Sequence, residues 1–213
     1  VQTALKRILD VTLAAAGLAA TAPLQAVIAA AIRLDSDGPS LFRQPRIGRH
    51  GRPFTMLKFR TMAKAAPVEF NADGSTRVVA GDARVTRVGR ILRGGLDELP
   101  QLMNVLRGDM SLVGPRPDFG DPNALYSPSE RRKLEVRPGM TSLAAVLGRN
   151  ELPWRQRVAI DLCYLEQWSL LLDLKIVVAT LCLPIGVHPF ELHRVVEGRV
   201  DLGAPASAPH ARA

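Results

Sequence analysis

Between Val11 and Ile32 the chain reads VTLAAAGLAATAPLQAVIAAAI, 22 residues without a charged side chain. As a straight helix this run rises about 33 Å, enough to cross the hydrocarbon core of a bilayer. Three features disfavour a simple crossing: Pro23 stands near its centre, Lys6 and Arg7 precede it, and Arg33, Arg43, Arg46 and Arg49 follow it. Proline removes a backbone donor and bends a helix, and basic residues on both flanks keep both ends on the cytoplasmic side. A bent, re-entrant helix pair broken at Pro23 fits both facts. A single span and a signal peptide cleaved after Ala20, Thr21 and Ala22 are the competing readings, and the apolar run that continues from Leu24 to Ile32 weakens the second.

The rest of the 213 residues suffices for one compact domain. Net charge is +8 and aromatic residues are only 5%. Anionic partners are therefore expected, but stacking platforms for single-stranded nucleic acid are scarce, and no nucleic-acid partner is expected. Arg43, Arg46, Arg49 and Arg52 recur every third residue; Pro45, Gly48, Gly51 and Pro53 deny them a continuous helix, so a membrane-facing basic loop is favoured over a nucleic-acid stripe. Cys163 and Cys182 have neither metal-site nor disulfide-scaffold spacing and read as reduced and structural. The segment LFRQPRIGRHGRPFTMLKFRTM predicts a hairpin or short strands, Ala63 to Asp82 a polar surface loop, and Pro153 to Leu183 a helix-rich region. The end of that region is too short to span a membrane and should pack in the core or lie at the interface. Trp154, Tyr164 and Trp168 are either core residues or headgroup-level anchors. The boundaries that follow are a membrane anchor over 1–38, a catalytic domain over 39–197 and a disordered tail over 198–213.

Asp97 and Glu98 stand together before Pro100 and an apolar row at Leu99, Leu102, Met103 and Leu106, with Gln101 and Asn104 on the other face and Gly108 as the stop. One reading is a helix cap, with Asp97 at the N-cap and Glu98 complementing the dipole. The other is chemical: an ionised carboxylate at a helix start can attack phosphorus, and a second acid beside it can help hold a divalent metal. In GPRP, two prolines restrict Arg116 and present its forked guanidinium to phosphate oxygens. Lys58, Arg60, Arg93, Arg137 and Arg149 are candidates to converge on the same anion, and each is also an ordinary surface charge.

Taken in order, KRILD, LKFRTM, RVTRVGRILR, LDELPQLMNVLRGDMSLVGPRP, VRPGMTSLAAVLGRN and WSLLLDLKI resemble the bacterial sugar transferases. More narrowly, they resemble the short monotopic polyprenyl-phosphate phosphoglycosyl transferases, from about Leu5 to Thr180. The resemblance implies an α+β fold, mostly helical with a few short strands, in which an N-terminal re-entrant membrane hairpin carries a catalytic domain on the cytoplasmic face of the bacterial inner membrane. It implies transfer of a sugar-1-phosphate from a UDP-sugar to polyprenyl (undecaprenyl) phosphate with release of UMP, the first step of exopolysaccharide or other surface-glycan assembly. By residue-by-residue match, Asp97 is the expected nucleophile, Glu98 its partner acid, Mg²⁺ the cofactor held by both, Arg116 a donor-phosphate ligand, and Pro23 the membrane-helix break. Membrane lipid is an implied partner, and a homodimer is left open. Two departures stand out. Only Gly94, Gly95 and Leu96 separate Arg93 from Asp97, one fewer than usual, and Ser142 and Ala145 in TSLAAV replace a glycine and a glutamine. A non-catalytic membrane adaptor in glycan assembly is the alternative those substitutions leave.

Overall fold

The computed structural model describes residues 4–64, 82–148 and 152–200, and the fold is mostly helical with a few short strands. Helix α1 (Ala4–Asp35) continues through Pro23. Among the described residues it is the one helix long and apolar enough to cross a membrane, and 11% of its most apolar stretch is buried. What α1 buries lies on one face: Lys6, Asp10, Ala14, Ile28 and Ile32, with half-buried Gly17, Thr21 and Gln25 continuing the row at three- and four-residue spacing.

The charges that open α1 are docking groups rather than a free basic flank. Lys6 Nζ lies 2.6 Å from Asp173 Oδ2 with both groups largely buried. Arg7 donates to the carbonyls of Val105 and Leu106 at 2.7 and 3.1 Å, and Asp10 accepts from the Ser111 hydroxyl and the Leu112 N–H. A helix start bound into the domain at three places is part of the fold, which disfavours a cleaved leader.

The hairpin forms as its composition requires. Strands β1 (Leu41–Ile47) and β2 (Pro53–Phe59) pair antiparallel, Leu41 opposite Phe59 and Ile47 opposite Pro53. Pro45 and Pro53 are tolerated because a two-stranded sheet has free edges on both strands. No arginine stripe forms along the hairpin, as Pro45, Gly48, Gly51 and Pro53 lead one to expect. Side chains alternate faces along a strand, so Arg43 and Arg46 diverge, Arg46 turns onto the Phe119 ring, and Arg49 donates to the Glu135 carbonyl.

After helix α2 (Arg87–Leu92), capped by the Thr86 hydroxyl, the chain reaches a 3₁₀ turn at Leu96–Glu98 and helix α3 (Gln101–Arg107). Strand β3 (Ser111–Val113), short helix α4 (Pro122–Leu125), strand β4 (Gly139–Thr141, parallel to β3) and helix α5 (Leu143–Leu147) follow. Helices α6 (Trp154–Glu166) and α7 (Leu170–Cys182) close the main core, where Leu143, Ile160, Tyr164, Leu172 and Ile176 pack together. Helix α7 packs in the core as one of its two expected roles requires: Leu172, Ile176 and Ala179 are buried, while Leu171, Leu174 and Leu181 remain exposed. The three aromatics are structural donors, with Trp168 and Tyr164 bonded to Asp173 and Trp154 to Asp118. Both cysteines are free, Cys163 buried. Val200 still packs against the core; the expected loop over 65–81 and the tail over 201–213 lie outside the described residues.

Gln101 and Asn104 overturn the expected polar face of α3, being 2% and 0% exposed. Asn104 Oδ1 accepts from the Leu57 N–H at 2.9 Å and its Nδ2 donates to the Thr55 carbonyl at 2.7 Å. The side chain satisfies the backbone edge of β2 as a neighbouring strand would. Asn104→Ala leaves a buried donor and acceptor unpaired, and is expected to cost about 2–4 kcal/mol in chemical denaturation. Exposed Arg155→Ala, which breaks a surface pair with Glu130, should change stability by under about 1 kcal/mol.

Candidate active site

The acid pair sits on a turn rather than on a helix cap. Leu96–Glu98 forms a single 3₁₀ turn entered through Gly95 at φ 120°, a conformation that glycine adopts without strain. The α-helix begins only at Gln101, after Pro100. Asp97 therefore does not occupy the N-cap of α3; it projects from the turn preceding it. The shortened Arg93 to Asp97 connection is taken up in this turn, where nothing crowds Gly95.

Lys58, on β2, reaches Glu98 Oε1 at 2.9 Å, with both side chains partly exposed. Asp97 is half-buried. Burial pushes its carboxyl above the ordinary value and the adjacent Glu98 charge adds to this, while Lys58, the Asp97 backbone N–H and Arg93 oppose it. The expectation that a helix start holds Asp97 ionised is thus replaced by a different balance, in which desolvation and a like-charged neighbour are only partly offset by two basic residues. Arg93 also donates to the Thr61 hydroxyl at 3.4 Å, which keeps it on the side of the turn facing β2.

Arg116 lies in an extended, half-buried segment between Pro115 and Pro117. The segment rests on a buried ionic network: Lys133 Nζ is 2.8 Å from Asp118 Oδ2 and 3.1 Å from Asp161 Oδ2. Tyr126 OH and Trp154 Nε1 also donate to Asp118. Burial works against the Asp118 charge, yet Lys133, Tyr126 and Trp154 hold its carboxyl below the ordinary value. At Asp161 burial wins, pushing the carboxyl up to about 6 against the pull of Lys133 and the Arg116 backbone N–H.

Not every candidate converges on the acids. The guanidinium of Arg60 is spent at the C-terminal end of α1, on the Pro39 and Ser36 carbonyls at 2.8 Å each and the Ser36 hydroxyl at 2.6 Å. Arg137 donates to the Gly108 carbonyl at 2.8 Å, at the C-terminal end of α3 beside Arg7. Arg149 lies outside the described residues. The structure adds a residue without an individual role in the sequence reading, Arg46, whose charge is felt together with those of Arg116 and Glu98. The available signal is period-two alternation: with Phe42 opposite Lys58 and Arg46 opposite Phe54, Arg46 and Lys58 share one face of the hairpin.

The donor set suits Mg²⁺. Among the described residues no three His, Cys, Asp or Glu side chains gather into a metal cluster. Mg²⁺ is commonly held by one or two carboxylates completed by substrate phosphates and water, and two adjacent, mutually repelling acids meet that requirement.

The described fold is thus a long apolar N-terminal helix docked on a small, mostly helical domain that carries an acid pair beside Lys58 and Arg93. Residues 1–185 match the family described as bacterial sugar transferase, and the chain belongs to that family. It is 51% identical over 187 residues to the UDP-glucose:undecaprenyl-phosphate glucose-1-phosphate transferase of Caulobacter vibrioides, covering 82% of this chain and 67% of that protein. It is 42% identical over 177 residues to the uncharacterized sugar transferase EpsL of Bacillus subtilis, covering 83% and 85%. To the exopolysaccharide production protein ExoY of Sinorhizobium fredii it is 40% identical over 198 residues, covering 86% and 88%.

The buried Asp161 makes stability pH-dependent in a definite sense. Its carboxyl titrates near 6 rather than 3.8, so between those values the native chain holds a proton that the unfolded chain has released. This group therefore subtracts stability as pH rises through that window. Asp161→Asn is expected to flatten that decline, measured by denaturant unfolding at several pH values from about 4 to 6.5.

Proposed function

We propose that the chain is a polyprenyl-phosphate glycosyl-1-phosphate transferase that moves a sugar-1-phosphate from a UDP-sugar to undecaprenyl phosphate and releases UMP, beginning the assembly of an exopolysaccharide or related surface glycan. The observation that carries this reading is the half-buried Asp97 carboxylate beside Glu98, with Lys58 paired to Glu98 and the Arg93 charge acting on Asp97. The names of the Caulobacter and Sinorhizobium relatives agree with it.

In the first step an Asp97 oxygen attacks the sugar-bearing phosphorus. The bond from that phosphorus to the bridging oxygen breaks, and UMP departs with the oxygen, leaving an aspartyl phosphosugar. In the second step an oxygen of undecaprenyl phosphate attacks the same phosphorus and the Asp97 carboxylate is released. Desolvation makes the Asp97 charge less well solvated and more reactive, while Lys58 holds Glu98 in place and Arg93 offers positive charge as the donor's negative oxygens approach. Mg²⁺ held by Asp97 and Glu98 would supply neutralisation of the diphosphate charge. Arg116, on its rigid proline-flanked segment, binds a donor phosphate.

The acceptor is a lipid, and α1 supplies the membrane contact. Pro23 lies on the face of α1 opposite the Ala14, Ile28 and Ile32 row, so the bend a proline imposes closes toward the domain. This favours re-entry, with both ends of α1 on the cytoplasmic face of the inner membrane.

UMP release from UDP-glucose with undecaprenyl phosphate and Mg²⁺ tests the activity directly. Asp97→Asn is expected to reduce turnover by about a thousandfold or more, and unchanged turnover would remove Asp97 as the nucleophile. With the lipid acceptor withheld, intact-mass spectrometry should detect a phosphosugar adduct on Asp97. For topology, single cysteines at positions 3 and 50, in a background lacking Cys163 and Cys182, should label from the same side in sealed vesicles. Labelling from opposite sides would establish a simple span instead.

A further inference from the structure

Arg46 is placed against the ordinary preferences of a surface arginine. Its guanidinium carbon lies 3.2 Å from the centroid of the Phe119 ring. Its two terminal nitrogens donate to the Pro117 carbonyl at 3.1 Å and to Gln44 Oε1 at 2.9 Å. Its Nε is buried with no hydrogen-bond partner. The side chain thus grips the segment carrying Arg116 at both Pro117 and Phe119, and brings a second guanidinium charge close to that of Arg116.

Two like charges held together in a partly desolvated place are unfavourable unless an opposite charge is present for at least part of the cycle. The acids around them are already engaged. Asp118 accepts from Lys133, Tyr126 and Trp154, and Glu98 is paired with Lys58. Burial and the Arg116 charge push the Arg46 guanidinium down to about 9, although Asp118, Glu98 and Tyr126 pull the other way. An anion between Glu98 and the Arg116 segment would relieve this imbalance, and a diphosphate carries enough charge to face both guanidinium groups.

We infer that Arg46 is a donor-positioning residue: it aims Arg116 by clasping the Pro117–Phe119 segment and supplies a second positive charge to the site that receives a nucleoside diphosphate. The inference deepens the transferase reading by adding a residue from the hairpin to the donor site. Arg46 makes no bond to the reacting phosphorus. Its contribution is a preformed, positively charged setting for the diphosphate, so its loss acts on donor binding more than on the chemical step.

The test uses the full chain in detergent and titrates UDP by calorimetry into wild type, Arg46→Gln and Arg46→Lys, with thermal unfolding of each measured in parallel. Arg46→Gln is expected to weaken UDP binding about tenfold, and Arg46→Lys, which keeps the charge but loses the fork and the ring contact, by a smaller factor of about three. In UMP-release assays Arg46→Gln should raise KM for the UDP-sugar more than it lowers kcat. Wild type that binds no UDP overturns the inference, as does an Arg46→Gln protein that binds UDP as tightly as wild type while only its unfolding temperature falls. Should Arg46→Gln fail to fold, unchanged UDP affinity in Arg46→Lys overturns it equally. Wild type that binds UDP through Arg46 yet never releases UMP from any UDP-sugar leaves this inference standing and removes the transferase reading.

Discussion

The bond pair from Asn104 to the edge of β2 is the constraint on which the site depends. A two-stranded hairpin is marginal alone in water, and this one is tied to α3 by a side chain that accepts from Leu57 and donates to Thr55. Those residues lie just before Lys58 on β2, so the clamp that joins hairpin and helix also helps set the distance between Lys58 and Glu98. Met56 and Leu102 pack beneath the clamp in one apolar cluster with Val105 and Ala14. Helix α3 is consequently fixed on one side by β2 and on another by α1, whose Arg7 satisfies its last carbonyls. The acid pair is carried on the turn just ahead of that doubly braced helix.

A second theme is the use of buried ions to place segments that lack regular structure. The Arg116 segment belongs to no strand, and only its ends are tied by backbone bonds, the Pro115 carbonyl to the Gly139 N–H and the Asp118 carbonyl to the Ile47 N–H. Lys133 and Asp161 on one side and Arg46 on the other complete its placement. Lys6, Asp173, Tyr164 and Trp168 do similar work where α1 meets α7. Such networks add less net stability than their contact distances suggest, because each ion must first lose water.

The long apolar helix shows the same economy. Its exposed surface is largely apolar, with Leu5, Ile8, Leu13, Leu24 and Val27 open, while the buried row, with Arg7 and Asp35 at its ends, joins it to the domain. Basic residues at its start belong to that joint. A hydropathy argument built on flanking charge therefore rests on groups that mainly serve docking, while Pro23 stands opposite the buried row and the helix runs on through it.

Much of the architecture was legible in the chain because local rules decide it. The apolar run from Val11 to Ile32, the hairpin around RHGRP, the Gly108 stop and the adjacency of Asp97 and Glu98 all follow from periodicity, turn chemistry or covalent order. The apparent cap at Asp97, the polar face given to Gln101 and Asn104 and the convergence of Arg60 and Arg137 on the acids did not survive folding. For Asn104, Arg60 and Arg137 the deciding partner is remote in sequence: the edge of β2, the end of α1 and the end of α3 in turn. Sequence determined which groups were available and which segments could reach a membrane. Tertiary structure decided which charges were spent on backbone carbonyls and which stand beside the acid pair, because a buried charge takes the partner that packing brings within reach, whatever its place along the chain.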